Sequence, residues 1–300
     1  MRKFLNILWR TITAPFRLLF WLGKSISKWI ASVYANIHEL FTEEPEDTPL
    51  PDAFAKAIEN PMGLMEHIEV FRKHVFRALL FMIITTVFSF VFAQQLLEWL
   101  TKPIGGIGAL QAIEVTEPVG VVMRVVLLAG FSLAIPYITL ELWLFAAPGL
   151  KKGARIRGLL LIPVATLLFV AGMAFAYYVM MPTALPFLLH FMGIKTAVRP
   201  ASYVKFVTSL LFWIGVAFEF PLVVFALARM GIVKAQTLLS QWRIAVILIA
   251  VIAAIITPTV DPVNMGLVMG PMILLYFASI GLAKIAQGKK EKEQNKLHNP

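Results

Sequence analysis

The chain has 300 residues, of which 59% are hydrophobic and 15% charged, with a formal net charge of +10 and a mean hydropathy of +0.79. A soluble domain carries about 45–50% apolar and about 25% charged residues, so a soluble globular enzyme and a disordered chain are both excluded. With no cysteine, the chain has no disulfide framework, thiolate metal site or cysteine nucleophile. The excess of base fits either a nucleic-acid partner or the positive-inside topology of a membrane protein.

Residues 1–42 interleave Lys and Arg with Trp and Phe at roughly helical spacing. This pattern predicts an interfacial amphipathic helix, with Trp9, Phe16, Phe20, Trp21 and Trp29 at the headgroup boundary and a kink at Pro15. Trp21, Lys24 and Lys28 stand where a cleavable signal would need small residues. Residues 43–60 open on Glu43 to Pro51, acidic and proline-rich, and read as a linker.

Six uncharged or nearly uncharged stretches follow: Ala78 to Leu97, Val119 to Phe145, Gly158 to Met181, Tyr203 to Leu227, Ile244 to Ile256, and Gly266 to Ala283. The first four are long enough to cross a hydrocarbon core of about 30 Å. The fifth reaches only about 20–22 Å as a helix, and the sixth is also short. The expected fold is therefore an all-α polytopic membrane protein, with a six-helix domain over 61–285 and a charged, disordered tail over 286–300.

Lys and Arg gather on one side of these spans. Arg72, Lys73 and Arg77 precede the first; Lys151, Lys152, Arg155 and Arg157 separate the second and third; Arg229, Lys234 and Arg243 separate the fourth and fifth. Lys284 and the tail lysines complete the set, whereas the opposite loops hold only Lys102, Lys195 and Arg199, with Arg124 and Lys205 at the helix mouths. Both termini are predicted to be cytoplasmic. The charge is accounted for by topology, and a nucleic-acid partner loses its support.

No phosphate-binding loop is present, because Gly288-Lys289-Lys290 lacks the upstream glycine and the Ser or Thr. His67 and His74 lie two helical turns apart, too far to share a metal without other ligands, and read as a helix-surface pair. No metal or cofactor is expected. Gly266-x-x-x-Gly270 predicts close helix packing inside the protein.

Three carboxylates stand out. Glu219 lies near mid-depth of the fourth span, where a charged group costs about 2.5–3.5 kcal/mol, and Pro221 frees a carbonyl one turn back. It reads either as a neutral Glu bonded to a neighbouring helix or as a polar contact for a partner helix or substrate segment. Asp261 occupies the tight turn Thr257-Pro258-Thr259-Val260-Asp261-Pro262 and reads alone as a helix cap. Glu141, at the cytoplasmic end of the second span, is expected to snorkel or to face a groove.

As a set, the motifs resemble a family. Pro136 followed by Trp143 and Phe145-Ala146-Ala147-Pro148-Gly149-Leu150 resembles the P-x8-F-x-x-P-G-L signature of TatC, the multispanning subunit of the twin-arginine protein translocase. So do Ser202 to Val207 leading into Gly215 to Pro221, the Thr257 to Pro262 turn, and the Glu117-Pro118 to Arg124 entrance of span two. The resemblance covers residues 61–285 in order. It implies a cupped arrangement of helices with Glu219 on the concave face, TatA- and TatB-like single-span partner subunits, and homo-oligomerisation within a larger complex of the bacterial cytoplasmic membrane. Folded cargo whose twin-arginine signal peptides dock on the cytoplasmic side, with transport powered by the proton-motive force, is implied as well. The residues it nominates for signal-peptide or partner contact are Glu219, Glu69, Arg72, Glu141, Phe145, Pro148, Leu150, Arg155 and Asp261, with Pro136, Pro221 and Pro258 structural.

Departures fall where cargo recognition is expected. Family members carry a Glu three residues after the histidine before span one, where this chain has Val70, with Glu69 rotated by about 100°. They also carry a Glu after the Pro-Gly-Leu loop, where this chain has Ala154. Two arginines need acidic partners, so Glu141, Glu69 and Glu66 become the replacements to test. The leading reading is a non-enzymatic receptor and assembly platform. A TatC-like scaffold that no longer reads twin-arginine signals is the first alternative. An ion-coupled secondary transporter using Glu219 or Asp261 is the second, although no inverted repeat is visible.

Overall fold

The computed structural model describes residues 61–149, 158–190, 197–257 and 262–298. Every regular element among them is helical: α1 Pro61–Phe90, α2 Ala93–Thr101, α3 Glu117–Ala146, α4 Leu161–Phe175, α5 Met181–Leu189, α6 Pro200–Met230, α7 Ala235–Ser240, α8 Trp242–Ile256 and α9 Pro262–His298. Five segments are long and apolar enough to cross a membrane: His67–Phe90, Glu117–Ala146, Leu161–Leu189, Pro200–Met230 and Pro262–Gly288. The shorter apolar helix α8 has 15 residues, or about 22 Å of rise. Residues 1–60, including the predicted amphipathic helix and linker, and residues 150–157 and 258–261 lie outside the described set.

Successive spans alternate in direction. The start of α1, the ends of α3 and α6, and the end of α9 share one end of the bundle, called here the terminal end. The α2–α3 connection, the end of α5 and the start of α6 lie at the distal end. Val126, Phe169, Leu211 and Ile214 of α3, α4 and α6 are fully buried, and Phe131 bridges them, with ring centroids 5.7 Å from Phe169 and 5.0 Å from Phe212. Small residues let the backbones approach. A Cβ on Gly130 would fall 2.5 Å from the Thr86 Cα of α1, and one on Gly172 of α4 would fall 2.9 Å from the Gly215 Cα of α6. Gly266 and Gly270, where close packing was expected, face open space instead.

Four span boundaries differ from those drawn on hydropathy. The first helix begins at Pro61, well before the apolar stretch, because Arg72, Lys73 and Arg77 interrupt hydropathy without interrupting helical backbone. It ends at Phe90, and a two-residue turn separates it from α2, so Ala78 to Leu97 is not one rod. Pro182 does not end the third span. A single wide π turn, Ala176–Met180, precedes it and places it at the start of α5, where its missing N–H is harmless. At the other end of the chain, α9 continues to His298. The sixth span was expected to be short, but its apolar segment covers Pro262–Gly288, 27 residues, and the lysine- and glutamate-rich tail extends the helix rather than ending it, as befits good helix formers.

The distal end is braced by polar contacts between elements far apart in sequence. The Glu117 carboxylate at the start of α3 accepts the Ala201 N–H of α6 at 2.8 Å and the Ile113 N–H at 3.1 Å. Arg199 lies 3.6 Å from Glu117 and 3.2 Å from Glu114. Glu117 thereby caps the first turn of α6 from another helix, the position where a negative charge is favoured by the helix dipole. The hydroxyls of Tyr177 and Tyr203 donate to the Trp99 and Leu100 carbonyls at 2.7 and 2.8 Å, tying α2 into the bundle.

Candidate functional site

At the terminal end, α1 and α3 meet along a seam built by helical periodicity. His67, Phe71 and His74 recur at four and three residues on one face of α1, and Tyr137, Glu141 and Phe145 recur every four residues on α3. Glu141 is 1% exposed. The ring N–H of His74, a residue 67 positions earlier, donates to Glu141 Oε2 at 2.6 Å, and the Arg77 guanidinium lies 3.5 Å from the same oxygen. The Tyr137 hydroxyl donates to Oε1. One turn on, the Phe145 ring centroid lies 4.8 Å from His67, 5.0 Å from Phe71 and 6.1 Å from His74. Carboxylate, cation and aromatics thus form one interlocked unit.

This corrects two sequence expectations. Glu141 neither snorkels nor faces a groove: both oxygens are engaged inside the protein. His74 is buried rather than half of a surface pair. Neither partner is legible from local pattern, because the interaction joins two helices; the signal available in sequence was the unusual Glu141 itself, set in an apolar stretch.

Glu69 lies on the outer face of α1. Its side chain is 55% exposed and pairs with Lys73 at 3.1 Å, and Arg72 beside it is exposed. Exposed surface pairs of this kind are weak, so the carboxylate exchanges partners easily. Pro148, in the 3-10 turn Ala147–Gly149 after α3, is exposed. Leu150, Arg155, Pro258 and Asp261 lie outside the described residues.

Glu219 stands apart from this cluster, one turn beyond Gly215 on α6 and against the Phe169 backbone of α4. Its Oε1 is buried and has no hydrogen-bond partner among the described residues. Close approach of Gly172 and Gly215 brings α4 and α6 together beside it, while Phe218 packs on Phe175 with centroids 5.8 Å apart. Pro136 and Pro221 lie inside α3 and α6, which continue through them. Among the described residues, no cluster of three or more metal-ligating acids or histidines occurs. The distal Glu117–Arg199 brace was not foreseen as a unit, because its members are about eighty residues apart and carry no local signature.

Comparison with known proteins places this arrangement. The family model for TatC, the Sec-independent protein translocase protein, matches residues 66–271. The chain is 32% identical over 235 residues to a Sec-independent protein translocase protein TatC of Carboxydothermus hydrogenoformans, covering 77% of this chain and 97% of the relative. It is 33% identical over 261 residues to the protein of the same name from Deinococcus radiodurans, covering 84% and 96%. A crystal structure described as the twin arginine translocase receptor TatC superposes with a TM-score of 0.65 at 30% identity, covering 73% of this chain and 99% of that one. The all-helical fold, the multi-pass membrane character and the motif set agree, and the chain belongs to the TatC family, as a membrane subunit of the Sec-independent, twin-arginine protein translocase.

Proposed function

We propose that this chain is the receptor and assembly platform of its translocase: it binds twin-arginine signal peptides of folded precursors at the terminal end and organises single-span partner subunits around Glu219. The observation that carries the reading is the buried Glu219 Oε1, which has no hydrogen-bond partner among the described residues. A carboxyl group in that state inside a membrane span is expensive to keep, and a polar or hydroxyl-bearing side chain of a docked helix would satisfy it. The terminal end faces the cytoplasm in this proposal, both chain termini included, and transport draws on the proton-motive force rather than on nucleotide hydrolysis.

Signal-peptide arginines would meet Glu69 on α1. Glu141 is already engaged by His74, Arg77 and Tyr137, so its role is to hold the α1–α3 seam in shape. That geometry also favours the second reading, a scaffold that no longer reads twin-arginine signals, since Glu69 is the exposed carboxylate among the described side chains at this end. Replacing Glu219 with Ala tests the platform. Export and co-purification of single-span partners should fall at least tenfold, while membrane insertion and yield stay at the parental level; unchanged partner assembly would sink the assignment.

A further inference from the structure

A cavity of about 590 Å³ opens at the distal end, between α2 and the π turn that joins α4 to α5. Lys102, Tyr177, Tyr178, Pro182, Pro186 and His190 are among its walls, and no carboxylate is. Lys102 makes no ion pair among the described residues, and its neighbour Glu98 accepts from Gln94. His190 bonds the Pro186 carbonyl through Nδ1 at 3.2 Å, which leaves Nε2 for a ligand. Tyr177 is fixed by a stacked Trp99 ring at 4.0 Å and presents its own edge to Tyr178, centroids 4.9 Å apart. Tyr178 is 66% exposed and its hydroxyl has no partner among the described residues.

The setting identifies the occupant's chemistry. Trp and Tyr side chains collect at headgroup depth, so Trp99, Tyr177 and Tyr178 place the cavity mouth at the bilayer interface. A cation and a phenol beside an apolar, proline-stiffened wall match a phosphodiester carrying acyl chains. The lack of any acidic wall residue favours a ligand with net negative charge. π turns inside helices recur at functional sites, and within this one Tyr177 is buried and Tyr178 exposed.

We propose that this cavity is a binding site for an anionic phospholipid of the distal leaflet, with the headgroup phosphate held by Lys102. The full chain, delipidated in neutral detergent, is titrated with phosphatidylglycerol and with phosphatidylcholine of identical chains and read by native mass spectrometry. Phosphatidylglycerol should be retained preferentially, Lys102→Gln should cut that preference about fivefold, and excess inorganic phosphate should not displace the lipid. Equal retention of the two lipids, an unchanged preference in Lys102→Gln, or displacement by free phosphate would each overturn the proposal. Should the variant misfold, unmodified chain photolabelled with headgroup-diazirine phosphatidylglycerol decides the matter: adducts on the peptides bearing Lys102, Tyr178 or His190 support the site, and adducts confined elsewhere refute it.

Discussion

A buried carboxylate is tolerable only with its charge and both oxygens satisfied, and Glu141 meets that condition through His74, Arg77 and Tyr137. Removing one partner of such a group costs about 3–5 kcal/mol because the rest stay buried and uncompensated. Glu141→Ala should therefore lower the thermal unfolding midpoint in detergent sharply, whereas Glu141→Gln, which keeps the shape of the side chain and one acceptor oxygen for Tyr137 while its NH2 can donate to the other His74 tautomer, should lose much less. Equal losses would mean that the seam depends on packing alone. Glu219 behaves differently. Its mid-span position made it legible as a polar outlier in sequence, but an Oε1 without a hydrogen-bond partner among the described residues is a fact of three-dimensional packing. The His74–Glu141 pair was illegible for the same reason: a 67-residue separation leaves no periodic trace.

Among the elements, hydropathy located the spans well and their ends poorly. Charge interrupts a hydropathy window without stopping a helix, which hid the first turns of α1 and the extension of α9. Proline was over-read at Pro182, because a π turn can deliver it to a helix start. The short α8 was legible from length alone. Helix crossings, by contrast, depend on which glycine meets which neighbour: Gly266 and Gly270 carry the familiar spacing and touch nothing, while Gly130 and the Gly172–Gly215 pair set the contacts. Gly215→Val should push α6 off Phe169 and reduce folded yield several-fold, measured by size-exclusion profile; Gly266→Val should leave the profile unchanged. At the distal brace, Glu117→Ala strands the Ala201 and Ile113 N–H groups, at about 1–3 kcal/mol each if they stay dry. Amide exchange should accelerate around residues 110–117 and 199–203 and not at the terminal seam.

For the molecule as a whole, charge asymmetry is the feature that sequence exposes most directly, since positive residues need no packing to take sides. The alternation of helices brings the starts of α1 and α4 and the ends of α3 and α6 to one end, the one that the basic loops mark. Because the chain has no cysteine, single introduced cysteines report topology cleanly. An impermeant maleimide added to intact cells should label Val115→Cys at the distal end and fail to label Lys73→Cys until the membrane is opened. The central claim, that the terminal end reads twin-arginine signals, is tested most directly by photocrosslinking from positions 69 and 72 of α1 to a signal peptide. The account predicts adducts that disappear when the peptide's two arginines become lysines; adducts indifferent to that change, or none at all, would contradict it.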